Sequence, residues 1–280
     1  MIDRIHADGA DIDPYLARPG LRRREIENFQ GFGTAVGGRG DDSAHATPNR
    51  AAGRGIPLAS LRLMRSFPIT DAVRDYAVSH GSWQPDDVVR QLRAETAALG
   101  DVSGMQIGDD QGQLLTMMAR LVGARRAVEV GTFTGYSSLC IARGLAEGGS
   151  LLCCDVSEEW TAIGARAWER AGLRDRIELK IGPALETLRA LPPEAVIDLV
   201  FIDADKVGYV GYWDELVPRV RPGGVLLADN VLWSGEIVDQ QRTDENVTAL
   251  RAFNGKVAQD DRVEAVVLPA FDGLTIARKL

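Results

Sequence analysis

The sequence predicts an α/β protein built on a doubly wound, mostly parallel seven-stranded sheet that closes with an antiparallel hairpin. Three observations carry this. Short apolar runs of strand length recur from residue 125 onward. Segments long enough for a helix separate the first five, as a parallel sheet requires. The last two runs are parted only by Phe271 and Asp272, too short a link for a parallel crossover. The runs are RRAVEVG (125–131), SLLCCDV (150–156), IELKIG (177–182), IDLVFIDA (197–204) and GGVLLADNV (223–231), then VEAVVLPA (263–270) and GLTIARKL (273–280). Ligands of such sheets sit at the carboxyl ends of the strands, near the point where strand order reverses.

Ahead of the sheet the chain changes character near residue 57. The stretch GFGTAVGGRGDDSAHATPNRAAGRG has no apolar periodicity and too little apolar surface to offset the entropy of ordering it. Residues 1–56 are expected to be an extension, flexible or laid as an arm on a partner subunit, and residues 57–280 the folded domain. Arg22-Arg23-Arg24 reads as a solvated charge run, or as a phosphate contact. Residues 57–123 read as helical. Ile69, Val73 and Tyr76 fall at helical spacing behind a cap at Thr70 or Asp71, and Pro85-Asp86-Asp87 opens a helix that runs to Leu99. A third helix is expected from Gly112 to Val122.

A net charge of −8 and a pI near 5.0 disfavour a nucleic-acid partner and an anionic membrane. Cys153 and Cys154 are adjacent, so on a strand they point to opposite faces and form neither a metal clip nor a disulfide; with Cys140 they read as free thiols of a reducing compartment. His6, His45 and His80 are scattered, which leaves little for a His-rich zinc site. The first residues lack the apolar stretch of a signal peptide, and no apolar run approaches the ~20 residues of a membrane span. A soluble, cytoplasmic protein is expected.

At the carboxyl end of the first run, Glu129-Val130-Gly131 leads into Thr132-Phe133-Thr134-Gly135-Tyr136-Ser137. Glycines at 131 and 135 permit a tight turn close to a ligand. A dinucleotide site would want glycine where Phe133 stands, so there is less room for a diphosphate, which disfavours a nicotinamide cofactor. The second run ends at Asp155, placed to accept hydrogen bonds from ribose hydroxyls. Its alternative role is a helix cap, although Ser157 is the better cap. The third run ends Ile181-Gly182-Pro183-Ala184, small enough for a flat adenine. These features describe a site for a nucleoside without a phosphate tail, such as S-adenosylmethionine.

The fourth run ends Asp203-Ala204-Asp205-Lys206 and the fifth Asp229-Asn230. Two carboxylates and an amide oxygen at one sheet edge are hard ligands suited to Mg²⁺, Mn²⁺ or Ca²⁺. Without a cation, Asp203 and Asp229 would be like charges in a crevice. Strand-end acids that only cap helices are the alternative. Lys206, three residues after Asp203, shares its face if a helix begins there and can then take a proton from a substrate hydroxyl; otherwise it is a surface lysine.

Taken together, MQIGDDQGQLL (105–115), VEVGTFTGYSS (128–138), FIDADK (201–206), RPGGVLLADNVLWSG (221–235) and FDGLTIARKL at the end resemble the metal-dependent catechol and caffeoyl-CoA O-methyltransferases over about residues 60–280. The resemblance implies the Rossmann-like fold of class I methyltransferases, with a reversed final strand. It implies Asp203, Asp229 and Asn230 as ligands of Mg²⁺ or a similar cation, and Lys206 as the base. It places Met105 and Ile107 beside the methionine part of the cofactor, Glu129, Gly131, Phe133 and Ser137 around its amino-acid part and ribose edge, Asp155 on the ribose, and Val156 and Ala184 against the adenine, with Asp203 also facing the cofactor. Trp233 is implied as a wall for the substrate, or as an aromatic plug beneath its loop. Plant caffeoyl-CoA enzymes carry tyrosines after W-x-G, whereas EIVDQQRTDENVTALRAF has none. A small catechol-like substrate is therefore expected ahead of a coenzyme A ester or an RNA, and a homodimer is the expected assembly.

Overall fold

Why the first five strands run parallel is visible in what fills the gaps between them. β1 (Arg126–Val130), β2 (Ser150–Asp155), β3 (Ile177–Ile181), β4 (Ile197–Ile202) and β5 (Val220–Ala228) are each followed by helix, whereas β6 (Val263–Leu268) and β7 (Leu274–Lys279) are joined directly. The computed structural model describes residues 69–280 apart from Trp83. The expected extension over 1–56, its arginine run, and the domain start at 57 lie outside the described residues.

The strands form one sheet in the order β3-β2-β1-β4-β5-β7-β6. β1 to β5 pair in parallel, and β7 pairs antiparallel with both β5 and β6. The fold class is the one the sequence predicts. Strand order reverses between β1 and β4, which puts the crevice at the carboxyl ends of those two strands.

Two expectations about strands change. β5 begins at Val220 rather than Gly223, with an irregularity in its pairing opposite Ile197 and Leu199. The link between β6 and β7 spans residues 269–273 and not two residues. Asp272 and Gly273 do not extend the hairpin because their carbonyls accept hydrogen bonds from Leu232 and Val231, beyond β5.

The helices are α1 (Asp71–Ser79), α2 (Asp87–Ala97), α3 (Asp109–Leu121), α4 (Tyr136–Gly144), α5 (Glu158–Arg170), α6 (Ala184–Arg189), α7 (Tyr209–Leu216) and α8 (Glu245–Gln259). Thr70, Asp86 and Ser157 accept from the backbone N–H three residues on and so cap α1, α2 and α5. α3 starts at Asp109, earlier than the periodicity suggested, with Asp109 and Asp110 in its first turn, where the helix dipole favours acids. α2 stops at Ala97, before Leu99, as the chain enters a 3₁₀ turn at Gly100–Met105 whose first residue is left-handed. α1 buries no side chain, so its apolar spacing marks a helix without marking core.

The sheet separates two cores. α2 to α5 pack with Leu139, Leu151 and Trp168 on one face, and α6 to α8 pack with Leu188, Trp213 and Phe253 on the other. Cys153 belongs to the first core and Cys154 to the second, as the pleat dictates, and all three cysteines are buried and free. Among the described residues, no helix is long and apolar enough to cross a membrane.

The crevice depends on one glycine. Gly131 has φ 89°, and a Cβ there would lie 1.8 Å from the carbonyl oxygen of Asp203. The chain leaving β1 therefore touches the chain leaving β4, and only glycine permits it. Gly131→Ala is expected to destabilise the fold by at least about 2 kcal/mol, the order of a strained backbone plus a clash. Thermal denaturation of the purified variant measures this; an unchanged melting temperature would contradict the contact.

Candidate active site

Past their last paired residues, β1, β4 and β5 stay in register for one more step. The Asp203 N–H donates to Val130 O at 2.8 Å, and the Asp229 N–H donates to Ile202 O at 2.9 Å. Because Ile202 faces Ala228 across the ladder, Asp203 and Asp229 emerge side by side. Asn230 follows with φ 54°, a left-handed conformation that Asn tolerates better than most residues. Lys206 opens a 3₁₀ turn three residues after Asp203 and is 7% exposed, so it is not a surface lysine. Its Nζ reaches Asp203 Oδ1 at 3.2 Å, Asn230 Oδ1 at 2.7 Å and the Tyr209 hydroxyl at 2.7 Å.

Asp229 is 2% exposed. Its Oδ1 accepts from the Asn230 N–H at 2.8 Å and its Oδ2 from Gln111 Nε2 at 2.7 Å. Burial, and then the charge of Asp203, push its carboxyl up to about 6. The Tyr209 hydroxyl donates to Asp229 O at 3.0 Å, and burial, followed by the charges of Asp203 and Asp229, keeps that phenol well above its ordinary range. Trp233, half-buried with φ 46°, places its ring centroid 5.8 Å from Lys206 Nζ and packs against the core behind β5. Among the described residues, no group of three or more His, Cys, Asp and Glu side chains is gathered to hold a metal; the corner consists of two carboxylates and an amide.

The glycine turn after β1 forms the other end. Phe133 is left-handed at φ 50°, and its N–H and that of Thr132 both donate to Asp155 Oδ2 at 2.8 Å. The Ser157 N–H donates to Asp155 Oδ1 at 2.8 Å. Asp155 thus joins the β1 turn to the end of β2, and the helix-cap role falls to Ser157, which accepts from the Trp160 N–H. Gly135 has φ 80° and packs against Gly164 and Trp168. Glu129 is fully buried; its Oε2 accepts from the Thr132 hydroxyl at 3.0 Å, and its Oε1 has no hydrogen-bond partner. Burial raises its carboxyl to about 7, opposed by the hydroxyls of Ser137 and Thr132.

Beyond Asp155, Val156 and Ile181 are exposed, Ala184 is buried, and a Cβ on Gly182 would meet nothing within 4 Å. This is an open apolar floor at the ends of β2 and β3. Met105 is half exposed, and Ile107 packs against the first core. Between them Gln106 Nε2 donates to the Thr96 hydroxyl at 3.2 Å and to the Thr134 hydroxyl at 3.4 Å, which fastens this segment to the glycine turn. Of the residues singled out from sequence, Glu129, Gly131, Asp155, Asp203 and Asp229 thus lie at or just past the carboxyl ends of their strands, Ser137 lies in the first turn of α4, and Met105, Ile107 and Trp233 lie on connecting segments. Sequence reasoning missed Gln111, Tyr209, Thr132 and the Thr96–Gln106–Thr134 set. Tyr209 had a signal in its i+3 spacing from Lys206; a buried glutamine in a polar helix start had none.

A sheet of this order, with its last two strands antiparallel, is that of the class I, S-adenosylmethionine-dependent methyltransferases. The chain belongs to the O-methyltransferase family, whose model matches residues 79–280. It is 34% identical over 250 residues to catechol O-methyltransferase domain-containing protein 1 of Mus musculus, covering 88% of this chain and 95% of that one. It is 34% identical over 214 residues to probable caffeoyl-CoA O-methyltransferase 1 of Dictyostelium discoideum, covering 75% and 93%. The crystal structure of the O-methyltransferase from Bacillus cereus in complex with SAH superposes with a TM-score of 0.68 at 32% identity, over 74% of this chain and 97% of that one.

Glu129 gives a pH test of the ligand-free site. Its carboxyl is raised from 4.5 to about 7, so its protonated form favours the folded state; that contribution is full below pH 4.5 and is lost as pH rises through 7. Relative to Glu129→Gln, the wild-type protein should lose on the order of 3 kcal/mol between pH 4.5 and 8. Parallel denaturation curves across that range check it. A constant difference between the two proteins would mean that Glu129 ionises freely.

Proposed function

We propose that this chain transfers the methyl group of S-adenosylmethionine to a hydroxyl of a small catechol-like aromatic molecule, with a divalent cation held by Asp203, Asp229 and Asn230. The observation that carries this is convergence. Asp203 Oδ1 and Asn230 Oδ1 both lie within hydrogen-bond reach of one nitrogen, Lys206 Nζ, and the Asp229 carboxylate emerges beside them from the neighbouring strand. The donor set fits a hard cation, since all three atoms are oxygens. A cation there would also relieve the like-charge repulsion that adds to burial in raising Asp229. When bound, it would acidify a hydroxyl and orient it.

The chain's own residues do the rest. Lys206 takes the hydroxyl proton at Nζ, with Tyr209 and Asn230 holding that nitrogen in place. Trp233 forms the aromatic wall. Asp155 has three of its four lone-pair positions taken by backbone N–H groups, so it serves one ribose hydroxyl rather than both. Val156 and Ala184 take the adenine, Met105 and Ile107 the methionine chain, and Glu129, Gly131, Phe133 and Ser137 the amino-acid end. Catechol and caffeoyl, the groups for which the two relatives are named, are both ortho-dihydroxy aromatics. The tyrosine-free segment after Trp233 favours the smaller. Most of the rate gain would come from orientation and fixed charge.

Treatment with EDTA should abolish methylation of a catechol, and Mg²⁺ or Mn²⁺ should restore it; full activity in the chelated enzyme would remove the cation from the mechanism. Lys206→Met should retain Mn²⁺ binding while kcat falls about 10²–10⁴-fold, the range for a lost general base. Steady-state kinetics with saturating Mn²⁺ separates the two effects.

A further inference from the structure

Asp229 reaches the corner through a contact that the mechanism above does not use. Gln111 lies in the first turn of α3, 3% exposed, and its Nε2 donates to Asp229 Oδ2 at 2.7 Å across 118 residues of sequence. From this we infer that Gln111 is a positioning residue for the cation corner: it fixes the rotation of the Asp229 carboxylate. The inference rests on the proposed cation at Asp203, Asp229 and Asn230.

The Asp229 carboxylate has two oxygens and two donors. The Asn230 N–H holds Oδ1 at 2.8 Å, and Gln111 holds Oδ2. One contact leaves the group free to swing about the bond to its Cβ; two contacts on different oxygens fix its plane. Each oxygen keeps one lone pair free, so the group is held without being saturated. A neutral amide suits this task better than a lysine or arginine would. It orients the carboxylate but adds no positive charge to compete with a cation. Without Gln111, Oδ2 would be a buried charged acceptor lacking that donor, which is costly. Hydrogen bonds that orient metal-ligating carboxylates tune affinity in this way, and their loss typically costs 10–100-fold in metal affinity or activity.

The helix that carries Gln111 has a second tie to the site. Gln106, five residues earlier, is fastened to Thr96 and Thr134 at the glycine turn. The chain from 106 to 111 therefore runs from the cofactor turn to the cation corner, and Gln111 is its anchor at the corner.

The test uses the full chain and Mn²⁺ as the probe. Calorimetric titration of Mn²⁺ into wild type, Gln111→Leu and Gln111→Met should show about 10–100-fold weaker affinity in both variants, with kcat lowered and the KM for S-adenosylmethionine unchanged. Two apolar replacements of similar volume guard against a variant that packs badly. Variants that bind Mn²⁺ as tightly as wild type would overturn the positioning role and leave the cation in place. Wild type that binds no Mn²⁺ would overturn both this inference and the cation reading. Loss of the cooperative melt in both variants would also overturn the inference, because Gln111 would then be a structural residue.

Discussion

Two carboxylates side by side at the rim of a buried crevice form the constraint around which this site is organised. Asp203 and Asp229 leave neighbouring strands at the same level, and Asp229 is almost wholly out of water. Like charges so placed repel, and burial adds to the cost. The surroundings hold this pair with polar groups: Lys206 on Asp203, Gln111 and a backbone amide on Asp229, and Tyr209 tying the lysine to the main chain just past β5. The divalent cation proposed for this corner would relieve that repulsion.

The topology makes the pair possible. Because strand order reverses between β1 and β4, the chain can rise from β1 into a glycine turn on one side while the acidic ends of β4 and β5 stand on the other. Gly131 lets these two halves touch, and Asp155 fixes the turn by accepting two of its backbone amides. The glycine turn and the acidic corner are thus built from adjoining strand ends, and Gln106 and Gln111 join them through the start of α3.

Much of this was legible in the sequence because it depends on local chemistry. Apolar runs and the gaps between them set the sheet, and strand-end residues such as Asp155, Asp203 and Asp229 announce themselves by position. The cap at Ser157 followed from the same reasoning, and of the two residues offered for α1 it is Thr70 that caps. What escaped depends on contacts made at long range. The hairpin link lengthened because Asp272 and Gly273 bond to Leu232 and Val231, and no local rule foresees that pairing. Asp155 accepts two backbone N–H groups from a turn 22 and 23 residues upstream. Gln111 finds its partner 118 residues away and looks in the sequence like any polar residue at a helix start. Ile69, Val73 and Tyr76 fall at helical spacing, but Ile69 lies ahead of α1, and α1 buries none of its side chains.

In the proposed site one cation sits between Asp203, Asp229 and Asn230, beside Lys206. The most direct measurement is anomalous diffraction from crystals grown with Mn²⁺ and S-adenosylhomocysteine. The account predicts a single strong anomalous peak at about 2–2.5 Å from the two carboxylates and the amide oxygen, the range of such ligand bonds. A well-ordered crystal with bound S-adenosylhomocysteine and no anomalous peak at that corner would contradict it.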